Sequence, residues 1–143
     1  MSYSYNYPRP MVTTDIVLLN KRGAELKILL IKRLNDPFKD SWALPGGFVD
    51  KDEALLNAAK RELQEETSIT NTRLMQFKTY GDAGRDPRGH TVSVVYYAIN
   101  TEELLAAKAG DDAKEIKWFS LNKLPEMAFD HNQIVREFIS EKT

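Results

Sequence analysis

The sequence predicts an α/β fold in which a mixed sheet lies between helices, an α/β/α sandwich. Several short runs of β-branched and apolar residues are typical of strands, whereas one central and one terminal segment have helical patterning. Strands interleaved with helices in this way pack as layers. No repeat or low-complexity linker divides the 143 residues, so we expect residues 1–143 to form a single domain.

Strands and turns are expected before the central helix. Residues 12–19 form a predicted strand rich in Val, Ile and Thr, and residues 20–23 carry the Asn and Gly of a turn. The apolar run over residues 26–31 predicts a largely buried strand. A polar loop over residues 34–41 precedes two short extended pieces, at residues 42–44 and 48–49.

The central helix is predicted over residues 53–66, with Asp50 or Asp52 as its cap. Its apolar positions form a stripe that should pack on the sheet: Leu56, Ala59 and Leu63. Because the acidic residues lie beside this stripe, the opposite side of the helix is free to face a ligand.

The second half is predicted to hold three further strands and a closing helix. The strands cover residues 74–80, 91–99 and 116–119. Residues 81–89 form a charged loop, and residues 101–109 have helical propensity but weak patterning. The closing helix covers residues 129–139, and its inward side chains are Ile134, Val135 and Phe138.

Composition excludes several classes of protein. A formal net charge of −1 gives no electrostatic footprint for DNA or RNA, so no nucleic-acid partner is expected. The absence of cysteine excludes disulfides and thiolate metal sites and is consistent with a reducing compartment. Residues 1–10 lack the apolar region of a signal peptide, and no run approaches membrane-spanning length. We therefore expect a cytoplasmic protein with no membrane partner.

The start of the chain is rich in tyrosine. Tyr3, Tyr5 and Tyr7 alternate like one face of an edge strand, which could pack on a partner subunit. The alternative, which we favour, is that residues 1–10 are a loose tail stopped by prolines.

Three carboxylates crowd the end of the central helix. Glu62, Glu65 and Glu66 lie at i, i+3 and i+4, so a helix places them on one face. Like charges at this spacing cost about 0.2–0.5 kcal/mol per pair, and the negative end of the helix dipole costs an anion about 0.3–1 kcal/mol more. Such a cluster is either a solvated face or a cation site. Its oxygens suit Mg²⁺ or Mn²⁺, and Mg²⁺ is usually completed by substrate phosphates.

The neighbouring residues favour the cation site. Arg61 precedes Glu65 by four residues and can hold its carboxylate in place. Glu53 opens the predicted helix, where its charge favours the dipole. Pro45 and the two glycines after it supply a turn at which backbone can approach a ligand closely.

This segment resembles the Nudix box, G-x5-E-x7-R-E-U-x-E-E-x-G-U, in which U is aliphatic. The matching residues are Gly47, Glu53, Arg61, Glu62, Leu63, Glu65, Glu66 and Ile69. One position departs, because Ser68 stands where the box has a glycine, at a helix end that favours a left-handed residue. The flanking pattern is also Nudix-like, and the resemblance implies the Nudix α/β/α sandwich with its mixed sheet.

The resemblance implies metal-dependent hydrolysis of a nucleoside diphosphate linked to another moiety, in which water attacks a phosphorus atom. The implied ligands of Mg²⁺ or Mn²⁺ are Glu62, Glu65, Glu66 and a backbone carbonyl at Gly46 or Gly47. Arg61 is expected to orient the catalytic residues, with Glu53 as its ionic partner.

The general base stays open between two sources. A box carboxylate could serve, although family members often take the base from a later loop. The candidates in that loop are Asp111, Asp112 and Glu115, of which Asp112 is our choice. A simple polar turn before a strand explains these acids equally well.

The loop after the box points to the substrate. Its residues Arg85, Arg88 and His90, in RDPRGH around Pro87, resemble those of ADP-ribose pyrophosphatases, as does the later Phe-Asp-His at 129–131. The arginines could clamp phosphates bidentately, and His90 could help to shape the site. Composition alone would favour a loop that merely links two strands. Four aromatic residues are candidates to stack an adenine: Phe38, Trp42, Tyr80 and Tyr97.

The expected reaction converts ADP-ribose to AMP and ribose 5-phosphate, with a nucleotide as the small-molecule partner. One alternative is the same chemistry on nucleoside triphosphates or other nucleotide sugars. Another is a non-catalytic ADP-ribose-sensing module, since similar Nudix domains occur in transcriptional regulators with a winged-helix domain. The complete set of box carboxylates and the lack of room for such a domain in 143 residues favour the enzyme, whereas Ser68 slightly favours the sensor. Because the family is often dimeric, we expect a homodimer.

Overall fold

The computed structural model describes residues 2–101, 109–110 and 113–143. The strands in these ranges are β1 Met11–Arg22, β2 Glu25–Arg33, β3 Trp42–Ala43, β4 Gly46–Phe48, β5 Met75–Tyr80, β6 Thr91–Asn100 and β7 Ala113–Ser120. The helices are α1 Leu55–Thr67 and α2 His131–Lys142. Within the described ranges, no helix has the length and apolar character needed to span a membrane.

The strands form one mixed sheet, as predicted. Its central order is β3-β2-β1-β6-β5, with β4 paired to β1 and β7 paired to β2. Strands β1 and β6 run parallel along their length, whereas the other pairs are antiparallel. The central position of β1 explains its continuous apolar run, because such a strand is buried on both faces.

The two helices cover opposite faces of this sheet. Successive side chains of a strand point to opposite faces, so neighbouring residues of β1 enter different cores. One core joins α1 to the sheet: Ile16, Leu18, Leu29, Ala59 and Leu63. The other core joins α2 to the sheet: Val17, Leu19, Ile28, Ile134 and Phe138. The predicted α/β/α sandwich is therefore confirmed, as is the inward orientation of the closing helix.

The start of α1 differs from the prediction. The helix begins at Leu55. Its N-cap residue is Ala54, which has no side chain that can accept a capping hydrogen bond, so neither predicted aspartate caps the helix. Glu53 closes a turn instead. Its N–H donates to the Asp50 carbonyl at 3.1 Å, and its carboxylate accepts the Asp50 N–H at 3.0 Å. The preceding turn thus occupies residues expected to be helical.

This later start also changes the buried face of α1. Leu56 was expected inward but is 38% exposed. Leu55 packs against the core in its place, in line with Ala59 and Leu63 one and two turns later.

The end of β1 and the start of α2 also differ from their predicted positions, each for a local reason. Strand β1 continues through Arg22, because pairing with β2 reduces the predicted turn to two residues, with Gly23 at φ 61°. Helix α2 begins at His131, two residues later than predicted, since Phe129 has a left-handed φ of 53°. The predicted weak helix at 101–109 falls mostly outside the described residues.

The three N-terminal tyrosines are exposed and lie outside the strands. Tyr3 and Tyr5 stack with ring centroids 6.2 Å apart, and the Arg9 guanidinium lies 3.9 Å from the Tyr5 centroid. These local contacts fit both the tail and the packing segment, so that choice stays a prediction.

The C-cap of α1 provides a test of the box position that departs from glycine. Ser68 adopts φ 64°, and its N–H donates to the Gln64 carbonyl. A left-handed conformation costs a residue with a Cβ roughly 1–2 kcal/mol. We predict that Ser68→Gly is about 1 kcal/mol more stable than Ser68→Ala in urea unfolding. Both variants lose the hydroxyl, so equal stabilities would contradict the assignment of strain.

Candidate functional site

A cleft of about 490 Å³ lies where the glycine turn, the acidic end of α1 and the arginine loop meet. It brings together most of the predicted site residues: Gly47, Arg61, Glu62, Glu65, Glu66, Arg85 and Arg88. Glu53 and His90 do not line it. Asp111 and Asp112 lie outside the described residues, and Glu115 is exposed on β7, away from the cleft lining.

Arg61 is the centre of the acidic side of the cleft. Its Nε and Nη2 donate to both oxygens of Glu53, at 2.8 and 2.9 Å. Its Nη1 donates to Glu62 Oε1 at 2.8 Å and Glu65 Oε2 at 3.2 Å. Nη2 also donates to the Phe48 carbonyl at 3.0 Å. The predicted ion pair with Glu53 and the contact with Glu65 are confirmed, and together they join α1 to the turn before it.

These contacts keep both Glu53 and Arg61 ionised. Hydrogen bonds from Arg61, with a further bond from the Asp50 N–H, lower the pKa of Glu53 to about 2. The same bonds from Glu53, followed by those of Glu62, raise the pKa of Arg61 above its usual range. The pair stays ionised through any physiological pH.

Two of the box carboxylates are buried against the glycine turn. Glu62 is 7% exposed and Glu66 is 4% exposed. A Cβ on Gly47 would lie 2.6 Å from the Glu62 carboxyl group, so a side chain there would collide with it. The Gly46 N–H donates to Glu66 Oε2 at 3.1 Å. Glycine is therefore required for this close approach of turn and carboxylates.

The donor chemistry fits a hard divalent cation. Among the described residues, no group of three or more His, Asp and Glu is already arranged to hold a metal ion. Arg61 lies between Glu62 and Glu65 and supplies positive charge there. The buried oxygens of Glu62 and Glu66 beside a backbone turn suit an ion such as Mg²⁺, which retains water and takes phosphate oxygens. The ligand roles of Gly47, Glu62, Glu65 and Glu66 stay predictions.

The side-chain donors of Arg85 are hydrogen-bonded to protein groups. Its Nε and Nη2 donate to the two Asp130 oxygens, both at 2.8 Å. Its Nη1 donates to Ser93 Oγ at 2.8 Å and the Thr91 carbonyl at 3.3 Å. The side chain thereby cross-links its loop to β6 and to the start of α2.

Arg88 lies closer to the open part of the cleft. Its Nη2 and Nε donate to Asp86 at 2.8 and 3.1 Å. Its guanidinium lies 4.6 Å from the Phe48 ring centroid and 5.1 Å from that of Phe129. Arg88 therefore presents a partly neutralised charge between two aromatic walls.

His90 shapes the loop from outside the cleft. One ring nitrogen, Nε2, lies 2.7 Å from the Gly81 carbonyl oxygen, and this contact joins the two ends of the loop. A direct contact with substrate stays a prediction for His90 and for both arginines.

A buried Asp–His pair at the cleft was not predicted. The Leu44 N–H donates to His131 Nδ1 at 3.0 Å, so the ring proton is on Nε2, which lies 4.0 Å from Asp15 Oδ1. Burial lowers the pKa of His131 and raises that of Asp15. The available signal was Asp15 itself, a carboxylate inside the apolar run of β1.

The four predicted stacking aromatics lie elsewhere. Trp42, Tyr80 and Tyr97 pack around the core under α2. Phe38 is 40% exposed and touches Phe129, with centroids 4.8 Å apart. None of these four lines the cleft formed by the described residues, whereas Phe48 and Phe129 do.

Comparison with known proteins gives a family match and similar relatives. A family model described as the NUDIX domain matches residues 9–140. An ADP-ribose pyrophosphatase of Methanocaldococcus jannaschii is 43% identical over 95% of this chain and 77% of its own length. The ADPR responsive transcriptional repressor NtrR of Acinetobacter baylyi is 37% identical over 92% of this chain and 54% of its own length.

Solved structures show the same fold. The NUDIX domain of Shewanella oneidensis NrtR, complexed with ADP ribose, has a TM-score of 0.86 at 34% identity and covers 96% of this chain and 91% of its own. A bifunctional NMN adenylyltransferase/ADP ribose pyrophosphatase from Francisella tularensis, complexed with AMP and a Mn ion, has a TM-score of 0.80 at 33% identity. The match covers 96% of this chain and 43% of that one.

The pH dependence of stability tests the Arg61 contacts. The pKa of Glu53 is about 2 in the folded protein, below the value of about 4.3 expected when unfolded. The charge of Glu53 therefore stabilises the fold above about pH 4.3, and this stabilisation is lost as the pH falls through 2. We predict that Glu53→Gln is less stable than the wild type at pH 7 and that the difference shrinks below about pH 4. Urea unfolding at several pH values measures it, and a pH-independent difference would contradict the ion pair.

Proposed function

This chain belongs to the NUDIX family, and we propose that it hydrolyses ADP-ribose to AMP and ribose 5-phosphate with Mg²⁺ or Mn²⁺. The observation that carries this proposal is the single cleft shared by the buried carboxylates of α1 and the arginine loop. Cleavage of a diphosphate requires both cation-binding oxygens and groups that receive phosphate charge. The M. jannaschii relative and the ADP-ribose complex of the S. oneidensis domain support this choice of nucleotide.

We assign the cation to Glu62, Glu65, Glu66 and the backbone of Gly47. When bound, the ion would neutralise charge on the diphosphate and favour attack by water. Arg61 holds Glu62 and Glu65 in place through Nη1. Its bidentate pairing with Glu53 keeps the guanidinium there while substrate enters and leaves.

The attacking water must lose a proton, and we propose Asp112 as the base that accepts it. The support comes from the chain just before it. The Gly110 N–H donates to the Glu66 carbonyl at 2.9 Å, so Gly110, two residues before Asp112 in sequence, contacts the acidic end of α1. A carboxylate of the box is the alternative base.

The arginine loop has distinct proposed roles. Arg88 lines the open cleft and is proposed to bind substrate phosphate. Arg85 is proposed mainly to position this loop, since Asp130 and Ser93 take its donors. His90 contributes by fixing the loop through the Gly81 carbonyl.

A sensing module is the second candidate. The A. baylyi relative is an ADPR responsive repressor, and this chain spans 54% of its length. Both candidates predict ADP-ribose binding, but only the enzyme predicts turnover. We also propose a homodimer, which sedimentation equilibrium would test.

A substrate panel tests the proposed function. ADP-ribose, nucleoside triphosphates and other nucleotide sugars are incubated with Mg²⁺ or Mn²⁺, and the products are identified. Fastest hydrolysis of ADP-ribose to AMP and ribose 5-phosphate is expected. Faster hydrolysis of nucleoside triphosphates would identify them, rather than ADP-ribose, as the substrate. Tight ADP-ribose binding without turnover in either metal would establish the sensor.

Removal of one buried charge tests the cation site. We predict that Glu66→Gln lowers kcat by roughly 100-fold or more, as expected for loss of a metal ligand. The fold should survive, because the glutamine oxygen can still accept the Gly46 N–H. Glu126→Gln, at an exposed position, is the matched control. Near-normal turnover of folded Glu66→Gln would refute the assignment.

Thermal unfolding provides a test that does not depend on substrate. Because the cation relieves repulsion among acids in the native state, millimolar Mg²⁺ should raise the Tm of the wild type. The increase should be smaller in Glu66→Gln. A wild-type Tm that does not respond to metal would contradict the site.

A further inference from the structure

The arginines of the cleft differ in how their charges are compensated. Four arginines line the cleft. Three of them form ion pairs: Arg61 with Glu53, Glu62 and Glu65, Arg85 with Asp130, and Arg88 with Asp86. Arg33 forms no ion pair with any carboxylate of the described part of the chain. Its described hydrogen bond runs from Nε to the Pro37 carbonyl, at 2.7 Å.

This bond places the Arg33 charge at the cleft. Arg33 ends β2, and Pro37 belongs to the loop that follows. With Nε occupied, Nη1 and Nη2 have no hydrogen-bond partner among the described residues. The side chain is only partly buried, so an incoming ligand can reach these two groups. Terminal guanidinium nitrogens are well suited to receive two oxygens of one phosphoryl group.

Phe129 brings this charge close to a second one. The guanidinium carbon of Arg33 lies 5.0 Å from the Phe129 ring centroid, and that of Arg88 lies 5.1 Å from it. Burial, followed by the positive charge of Arg88, lowers the pKa of Arg33, and three carboxylates that line the cleft partly offset this shift. Like charges near one ring repel each other, and an anion bound at either guanidinium group would reduce that repulsion.

The rest of the cleft indicates which anion fits. The carboxylates of Glu62 and Glu66 line the same cleft, so a purely anionic ligand without a cation would be repelled. A nucleoside diphosphate with its divalent cation fits both features. The cation takes oxygens beside the carboxylates, and the remaining phosphoryl oxygens need a separate positive charge.

We propose that Arg33, together with Arg88 beside the same Phe129 ring, binds the non-bridging phosphoryl oxygens of a nucleoside diphosphate. This inference rests on the nucleotide-binding cleft of the proposed function but not on the group attached to the second phosphate. Arg33 supplies a charge that no ion pair in the described part of the chain neutralises, and Phe129 lies beside both guanidinium groups.

The test measures binding of α,β-methylene-ADP and adenosine by titration calorimetry with Mg²⁺ present. The methylene bridge prevents hydrolysis between the two phosphates, and adenosine reports on the nucleoside site alone. The variants are Arg33→Met, which removes the charge, and Arg33→Lys, which keeps it. Both lose the bond from Nε to Pro37, so a difference between them is independent of that loop contact. Arg22→Met, at an exposed arginine at the end of β1, controls for net charge.

Loss of a charge-assisted hydrogen bond should weaken binding by about 10- to 100-fold. We expect this rise in Kd for α,β-methylene-ADP with Arg33→Met, a smaller rise with Arg33→Lys, and unchanged adenosine binding. Wild-type affinity in Arg33→Met, equal losses for Met and Lys, or an equal loss for adenosine would each overturn the proposal. So would absence of α,β-methylene-ADP binding by the wild type. Failure of the proposed function would appear separately, as lack of ADP-ribose turnover by the wild type.

Discussion

The bidentate contact between Arg61 and Glu53 is the interaction on which the rest of the site depends. It joins a residue in the middle of α1 to the turn before that helix, and the same guanidinium reaches the Phe48 carbonyl of β4. The position of the helix relative to the glycine turn is therefore fixed by one planar group with five donors. The same guanidinium also donates to Glu62, so this group helps to position a buried carboxylate beside the turn.

The acids can be buried because the turn is built from glycine. Gly47 leaves the space that the Glu62 carboxyl group occupies, and the Gly46 N–H satisfies an oxygen of Glu66. Burial of carboxylates is unfavourable unless hydrogen bonds or opposite charges compensate for it. Arg61 supplies part of that compensation in the protein alone. A divalent cation bound with substrate would supply more, which links the unusual composition of this helix end to its function.

Sequence patterns predicted local features well and long-range ones poorly. Apolar periodicity located the strands and both helices. The spacing of Arg61 from Glu65 predicted one contact that the structure contains, and the resemblance to the Nudix box predicted another, with Glu53. The inward orientation predicted for Leu56 was wrong, because the first two residues of the predicted helix belong to the preceding turn. Asp15 and Arg33 were not recognised, since a single charge on a strand has no local signature. Their place at the cleft depends on pairing of strands that are distant in sequence.

The most direct test of the account is a crystal structure with Mn²⁺, with diffraction measured at the manganese absorption edge. The account predicts an anomalous peak beside the glycine turn, within about 2–2.5 Å of carboxylate oxygens of Glu62 and Glu66. A map with no peak there, or with both side chains turned away from a manganese ion bound elsewhere, would contradict it.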